Sequence, residues 1–141
     1  MKKAIIFDMD GLMIDSERVT YEEYCHKLDQ LGYKFDETLY RRCLGKNKKG
    51  VYQVLIDHYG EDFPIDEVWD DVHVSLDNRL KLNTPLKKGI VELLTFLKEN
   101  NYKTIVATSS ARARADIILK TANIYQYFDD MICGDEVTCG K

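Results

Sequence analysis

The 141-residue sequence lacks an excess of positive charge: 20 Lys and Arg face 24 Asp and Glu, for a net charge of -4. Binding that tracks a nucleic-acid backbone is therefore not expected. Long apolar runs are missing too. The first one stops at Phe7, far short of a secretory core, and no later stretch approaches the length that crosses a bilayer. No membrane association and a cytoplasmic location are expected. Cys25, Cys43, Cys133 and Cys139 form no CxxC pair and have no ordered histidine partners, which argues for reduced thiols rather than a disulfide framework or a zinc site. His26, His58 and His73 are scattered and are assigned to surface or core. Repeats and low-complexity tracts are also absent.

What is present is a soluble, globular composition, 45% apolar and 31% charged, of a size for one ordinary domain or a small one with an insertion. Residues 3–7 form a short apolar run ending at Asp8, the pattern of a strand buried on both faces. From Asp15 to about Asn83 the periodicity is helical. Val19, Tyr24, Leu28 and Leu31 form one stripe, Val51, Val54, Leu55 and Tyr59 a second, and Ile65, Val68, Trp69, Val72, Leu76 and Leu80 a third. Gly32, Gly45, Gly60 and Pro64 punctuate them. After Pro85, Leu86, Ile90, Leu93, Leu94 and Leu97 predict a helix, Thr104 to Ala107 a strand, and Ala111, Ala115, Ile118, Leu119 and Ala122 another helix. Residues 130–133 read as a further strand. The order fits an α/β fold, a parallel sheet interrupted by a helical insertion. In such sheets ligands bind beyond the carboxyl ends of the strands, where Asp8 and Thr108 both fall.

Asp8 and Asp10 stand two residues apart in an extended segment and so project to one side. Facing carboxylates repel unless a cation or a proton lies between them, and an oxygen-only pair suits Mg2+ held jointly with a substrate phosphate. One carboxylate can then attack as nucleophile while the other serves as acid and base, the pattern of aspartyl-phosphate chemistry. Gly11 lets the backbone turn away. In Ala107-Thr108-Ser109-Ser110, the Thr108 hydroxyl, the backbone N–H groups around Ser109 and Ser110, and the start of the next helix provide a phosphate site. Plain helix capping by Ser109 or Ser110 is the competing explanation, and both can hold.

The stretch Phe7-Asp8-Met9-Asp10-Gly11-Leu12 through Asp15-Ser16-Glu17, the later Ala107-Thr108-Ser109-Ser110, and Gly140-Lys141 resemble the haloacid dehalogenase-like phosphohydrolases. The branch most like this chain carries a helical cap after the first strand and includes β-phosphoglucomutase, phosphoglycolate phosphatase and pseudouridine-5'-phosphatase. The resemblance implies a Rossmann-like core from residues 1–14 and 84–141, incomplete here, with residues 15–83 as the cap. It implies Asp8 as nucleophile and Mg2+ ligand, and Asp10 as general acid/base with its main-chain carbonyl on the metal. Thr108 would hold the phosphoryl group, and Lys141 would balance its charge. In the cap loop, Lys48 stands where the mutase has a phosphate-gripping arginine, and with Asn47 it is the candidate substrate contact. Thr20 replaces the mutase's assisting histidine, which favours a phosphatase of a small phosphorylated metabolite such as a sugar phosphate, nucleotide or glycolate type. A sugar-phosphate mutase and a non-catalytic phosphate- or protein-binding module are the alternatives.

The family continues past the third-motif lysine with a helix, a strand and a pair of acids that complete the metal site. The resemblance therefore predicts a fragment with impaired activity. It also predicts that the far edge of the first strand is unpaired and open to a partner, a swapped segment or self-association.

Overall fold

A computed structural model describes residues 3–139, and the residues sort into two compact units. One contains the chain up to Glu17 and from Asn78 onward; the other is Arg18–Asp77.

The first unit is built on a three-stranded parallel sheet in the order β1 (Ala4–Phe7), β2 (Lys103–Ala107), β3 (Asp130–Ile132). Parallel neighbours need long crossovers. Here the chain between β1 and β2 supplies α1 (Ser16–Gln30), α2 (Glu37–Cys43), α3 (Lys48–Tyr59), α4 (Ile65–Leu82) and α5 (Ile90–Glu99), and that between β2 and β3 supplies α6 (Arg112–Thr121).

Register separates the two faces of the sheet. Phe7, Val106 and Met131 lie side by side across the strands, and all three are buried. One residue earlier, Ile6 opposes Ile105, and Ile6 is 68% exposed. The expectation that β1 is covered on both faces is therefore corrected. An apolar run records that a strand is non-polar, not which of its faces a helix covers. Among the described residues β1 is an edge strand, hydrogen-bonded to β2 alone.

Beyond β1 the chain coils tightly, with Met13 and Ile14 both donating N–H bonds to the Met9 carbonyl and all three side chains fully buried. Gly11 adopts φ 78° there, and a Cβ on it would stand 2.8 Å from Oε1 of Glu17. The positive φ favours glycine, while the Glu17 carboxylate ends a flexible side chain that can shift. The chain leaving for the helical insertion runs antiparallel to the chain returning from it. Ile14 bridges Leu86, Asp15 N–H donates to the Pro85 carbonyl at 2.9 Å, and Lys87 N–H donates to the Met13 carbonyl at 2.9 Å. An ion pair between Lys87 and Asp15 (3.3 Å) reinforces the stitch. Leu86, expected on the helix, is instead in this bridge, and α5 starts at Ile90. Leu93, counted in its stripe, is 43% exposed, while Ile90, Leu94 and Leu97 are buried.

The second unit has a core of its own, in which Tyr24, Leu28, Leu39, Tyr40, Val51, Leu55, Phe63 and Val68 are buried together. Lys27 on α1 donates to Glu67 (2.8 Å) and Asp71 (2.6 Å) on α4. Leu31 leaves the predicted stripe because α1 ends at Gln30 and Gly32 at φ 79° reverses the chain, with Tyr33 N–H returning to the Leu28 carbonyl at 2.9 Å. This is a left-handed helix ending of the kind that glycine favours. The short α2 has no long stripe in the sequence; Asp36 caps it by accepting from Leu39 N–H at 2.9 Å, and Leu39, Tyr40 and Cys43 fill the core.

Tyr24 has a hydroxyl with no hydrogen-bond partner among the described residues, and burial pushes its ionisation upward. An unpaired buried hydroxyl costs about 1–3 kcal/mol. Tyr24→Phe is therefore expected to raise the urea midpoint, by about 1 kcal/mol of stability. A lowered midpoint would show that the hydroxyl is satisfied in solution.

Candidate functional site

Because β1 and β2 are parallel and Phe7 lies opposite Val106, their carboxyl ends reach the same rim of the sheet. Asp8 is exposed there, Asp10 is partly exposed in the coil that follows, and Thr108 is buried at 5% exposure just past β2. Thr108 N–H continues the β2–β3 ladder by donating to the Ile132 carbonyl at 3.0 Å, and its hydroxyl oxygen accepts from Ser110 N–H at 3.1 Å. That second bond folds the Thr108–Ser110 segment into a tight turn of the type that threonine side chains impose.

The turn and the tip of β1 meet at Asp10. Ser110 Oγ donates to Asp10 Oδ2 at 3.2 Å, linking residues 100 positions apart in the chain. A third group joins them: Arg114 Nη1 lies 3.1 Å from Asp10 Oδ2 and 2.8 Å from Ser110 Oγ. No motif pointed to Arg114. The available signal was spacing, since residues 110 and 114 differ by one helical turn and share a face. The side chains of Arg114 and Asp10 keep 22% and 37% of their exposure, so the ion pair is neither buried nor fully solvated.

Neither serine caps α6. The N-cap position falls on Ala111, with no side-chain bond. Capping comes instead from the loop after β3, where Asp135 Oδ1 accepts from Arg112 N–H at 3.0 Å. A carboxylate suits the positive end of a helix, so this N–H is already engaged. Arg112 also pairs with both carboxylate oxygens of Glu136. That guanidinium, and then the Cys133 N–H, hold Glu136 below the ordinary carboxylate range, while burial pushes the Cys133 thiol up. Cys133, Asp135 and Glu136 place ligand atoms within 4.8 Å of one another, but these carboxylates already serve Arg112, so the cluster ties the loop to the helix. Gly134 completes the tie: its N–H donates to the Ser110 carbonyl at 2.9 Å, and a Cβ on it would lie 2.1 Å from the Ser109 carbonyl oxygen.

In the second unit Asn47 is the N-cap of α3, its side chain accepting from Gly50 N–H at 3.0 Å. Such a cap is worth about 1 kcal/mol. Lys48 is exposed, with Nζ 5.2 Å from the Tyr52 ring centre and 5.5 Å from that of Trp69. Lys141 and Gly140 lie outside the described residues. All four cysteines are free thiols, and among the described residues no helix is long and apolar enough to cross a membrane.

Asp8 and Asp10 offer oxygen donors only, the chemistry of a hard divalent cation. Oδ2 of Asp10 already accepts from Arg114 and Ser110, so it is not the oxygen that such an ion would take.

Comparison with known proteins gives the family. A family model for haloacid dehalogenase-like hydrolase matches residues 5–141. A phosphorylated carbohydrates phosphatase of Thermotoga maritima is 30% identical over 142 residues, covering 99% of this chain and 64% of that protein. A validoxylamine A 7'-phosphate phosphatase of Streptomyces hygroscopicus subsp. limoneus is 28% identical over 145 residues, covering all of this chain and 66% of that one. The crystal structure of a candidate β-phosphoglucomutase from Thermotoga maritima superposes with a TM-score of 0.77 at 29% identity, covering 99% of this chain and 64% of that one. The chain thus spans somewhat under two thirds of the length of these relatives. A Rossmann-like parallel sheet, a helical insertion after the first strand and a match over residues 5–141 place this chain in the haloacid dehalogenase-like hydrolase family.

Proposed function

We propose that the chain carries the catalytic opening of a Mg2+-dependent phosphatase acting on small phosphorylated metabolites through an aspartyl-phosphate intermediate. One observation supports this reading above the others: Asp10, two residues from Asp8, is hydrogen-bonded to the Ser110 turn that starts at Thr108. The groups proposed as acid, nucleophile and phosphate-binding turn therefore share one end of the sheet.

In this proposal an Asp8 oxygen attacks phosphorus, the bond from phosphorus to the leaving oxygen breaks, and that oxygen takes a proton from the Asp10 carboxyl group. Asp10, now a carboxylate, accepts a proton from water as the water oxygen attacks the aspartyl phosphate. The bond from phosphorus to Asp8 breaks, inorganic phosphate leaves and both aspartates return to their starting state. Thr108 and the Ser109–Ser110 turn hold the phosphoryl oxygens. Mg2+, held by Asp8 and the Asp10 carbonyl, supplies charge neutralisation when bound. Lys141 is proposed to add to that neutralisation.

Residues 15–83 are proposed as the cap, and Lys48 and Asn47 as the residues that select the leaving group. The relative named for phosphorylated carbohydrates favours a sugar-phosphate substrate class. The open edge of β1 is proposed to pair with a further strand, from the same polypeptide or a second copy.

The experiment is a phosphate-release screen of the full-length protein with Mg2+ over sugar phosphates, nucleotides and phosphoglycolate. Release from a sugar phosphate is the expected result. Conversion of a hexose 1-phosphate into its isomer without phosphate release would show a mutase instead. No turnover of any phosphate ester would overturn the reading.

A further inference from the structure

We propose that Arg114 is a positioning residue for the acid/base group. Its guanidinium, together with the Ser110 hydroxyl, fixes the Oδ2 edge of the Asp10 carboxyl group and leaves Oδ1 to exchange protons with the leaving group and with water. The inference rests on the function proposed above and adds to it a residue that the motifs do not include.

The three contacts form a closed triangle. Arg114 Nη1 donates to Asp10 Oδ2 at 3.1 Å and to Ser110 Oγ at 2.8 Å, and Ser110 Oγ donates to Asp10 Oδ2 at 3.2 Å. Both donors meet one oxygen, so the carboxyl group is held by one edge and its rotation about the Cβ–Cγ bond is restricted. A group that must deliver a proton to a substrate oxygen and then take one from water has to reach both within hydrogen-bond distance, so its orientation contributes directly to rate. Arg114 suits this task because its planar fork offers donors in fixed directions, and because it sits on the third residue of α6, a helix anchored by buried Ala115, Ile118 and Leu119.

A role in stability fits less well. The Arg114–Asp10 pair keeps part of its solvent exposure on both sides, and pairs of that kind contribute little to folding. The buried residues of α6 hold the helix whether or not Arg114 is present. A role in gripping substrate has a distinct signature, because lost binding appears in KM while lost orientation appears in kcat.

The test uses Arg114→Gln and Arg114→Lys in the full-length protein, assayed on the best substrate from the screen, beside Asp10→Asn. Arg114→Gln is expected to lower kcat by about ten- to a hundredfold, with KM within about threefold of the parent. The melting temperature should be unchanged. Arg114→Lys keeps the charge but loses the fork and should restore part of the rate. In metal-free protein, the Arg114 side-chain N–H signal in a 15N spectrum should be visible in the parent and should shift or vanish in Asp10→Asn. Raised KM with an intact kcat would make Arg114 a substrate contact and overturn the inference. Equal loss of rate and of melting temperature would make it structural and overturn it as well. Retained turnover in Asp10→Asn would overturn the acid/base role itself. An inactive Asp10→Asn beside a fully active Arg114→Gln would reject the inference about Arg114 alone.

Discussion

Asp8→Asn in the full-length protein is expected to abolish phosphate release, by a factor of about 10⁴ or more, while leaving the fold intact. The amide has the shape of the carboxyl group but cannot form the acyl phosphate, so the proposed reaction would lose its first bond-making step. Stability should change little. Asp8 is exposed at the end of β1, and the strand is held by its ladder to β2. Surface substitutions of this sort usually stay within about 0.5 kcal/mol. Parallel measurements of phosphate release and thermal unfolding separate the two effects. Substantial turnover in a folded Asp8→Asn protein would remove the nucleophile from the proposed mechanism. Unfolding would show instead that the carboxylate serves the structure.

The second large effect is expected at a residue with no side chain. Gly134→Ala places a Cβ where 2.1 Å separates it from the Ser109 carbonyl oxygen and 2.7 Å from the carbonyl carbon. Real Cβ contacts do not come that close, and the obstacle is backbone, so either the loop after β3 or the Ser109 turn has to move. The loop has little room. Gly134 N–H is bonded to the Ser110 carbonyl, Thr108 N–H to the Ile132 carbonyl, and Asp135 caps α6. Overpacking of a well-fitted site costs about 1–3 kcal/mol. The displacement falls on the turn that positions Thr108 and Ser110, so a loss of kcat/KM should accompany the lower urea midpoint. Wild-type values of both would mean that the loop yields freely and that the phosphate turn is set by other contacts.

Much of the fold is legible in the sequence because its signals are periodic. The stripes of Val51, Val54 and Leu55 on α3 and of Ile65, Val68, Val72, Leu76 and Leu80 on α4 correspond to buried faces, and the apolar runs at residues 4–7 and 104–107 correspond to strands. Periodicity does not report what covers a face, which is why Ile6 and Leu93 look like core residues in the sequence and are exposed in the fold. It also fails at helix ends. Leu31 falls after the end of α1 at Gln30, just before the reversal at Gly32, and Leu86 belongs to a backbone bridge that precedes α5.

The site divides in the same way. Asp8, Asp10 and the Thr108 turn stand out because each sits where a strand stops. Arg114, Gly134 and Asp135 do not, because their parts in the arrangement depend on partners distant in sequence. Asp10 is 104 positions from Arg114, and Arg112 N–H reaches Asp135 across 23. Ser109 and Ser110 look like helix caps from composition, yet the cap is delivered from another loop, a choice that only the tertiary fold determines.

The antiparallel stitch of Ile14 with Leu86 and of Asp15 with Lys87 has a further consequence. Where a long excursion departs and returns through one fastened doorway, its two ends are already neighbours, and lengthening what lies between them adds only a logarithmic entropy cost. Everything beyond that doorway can be exchanged or elongated while the strands keep their alignment. A single scaffold of this kind therefore lets the inserted unit be traded while the strand ends that carry Asp8 and Thr108 stay as they are.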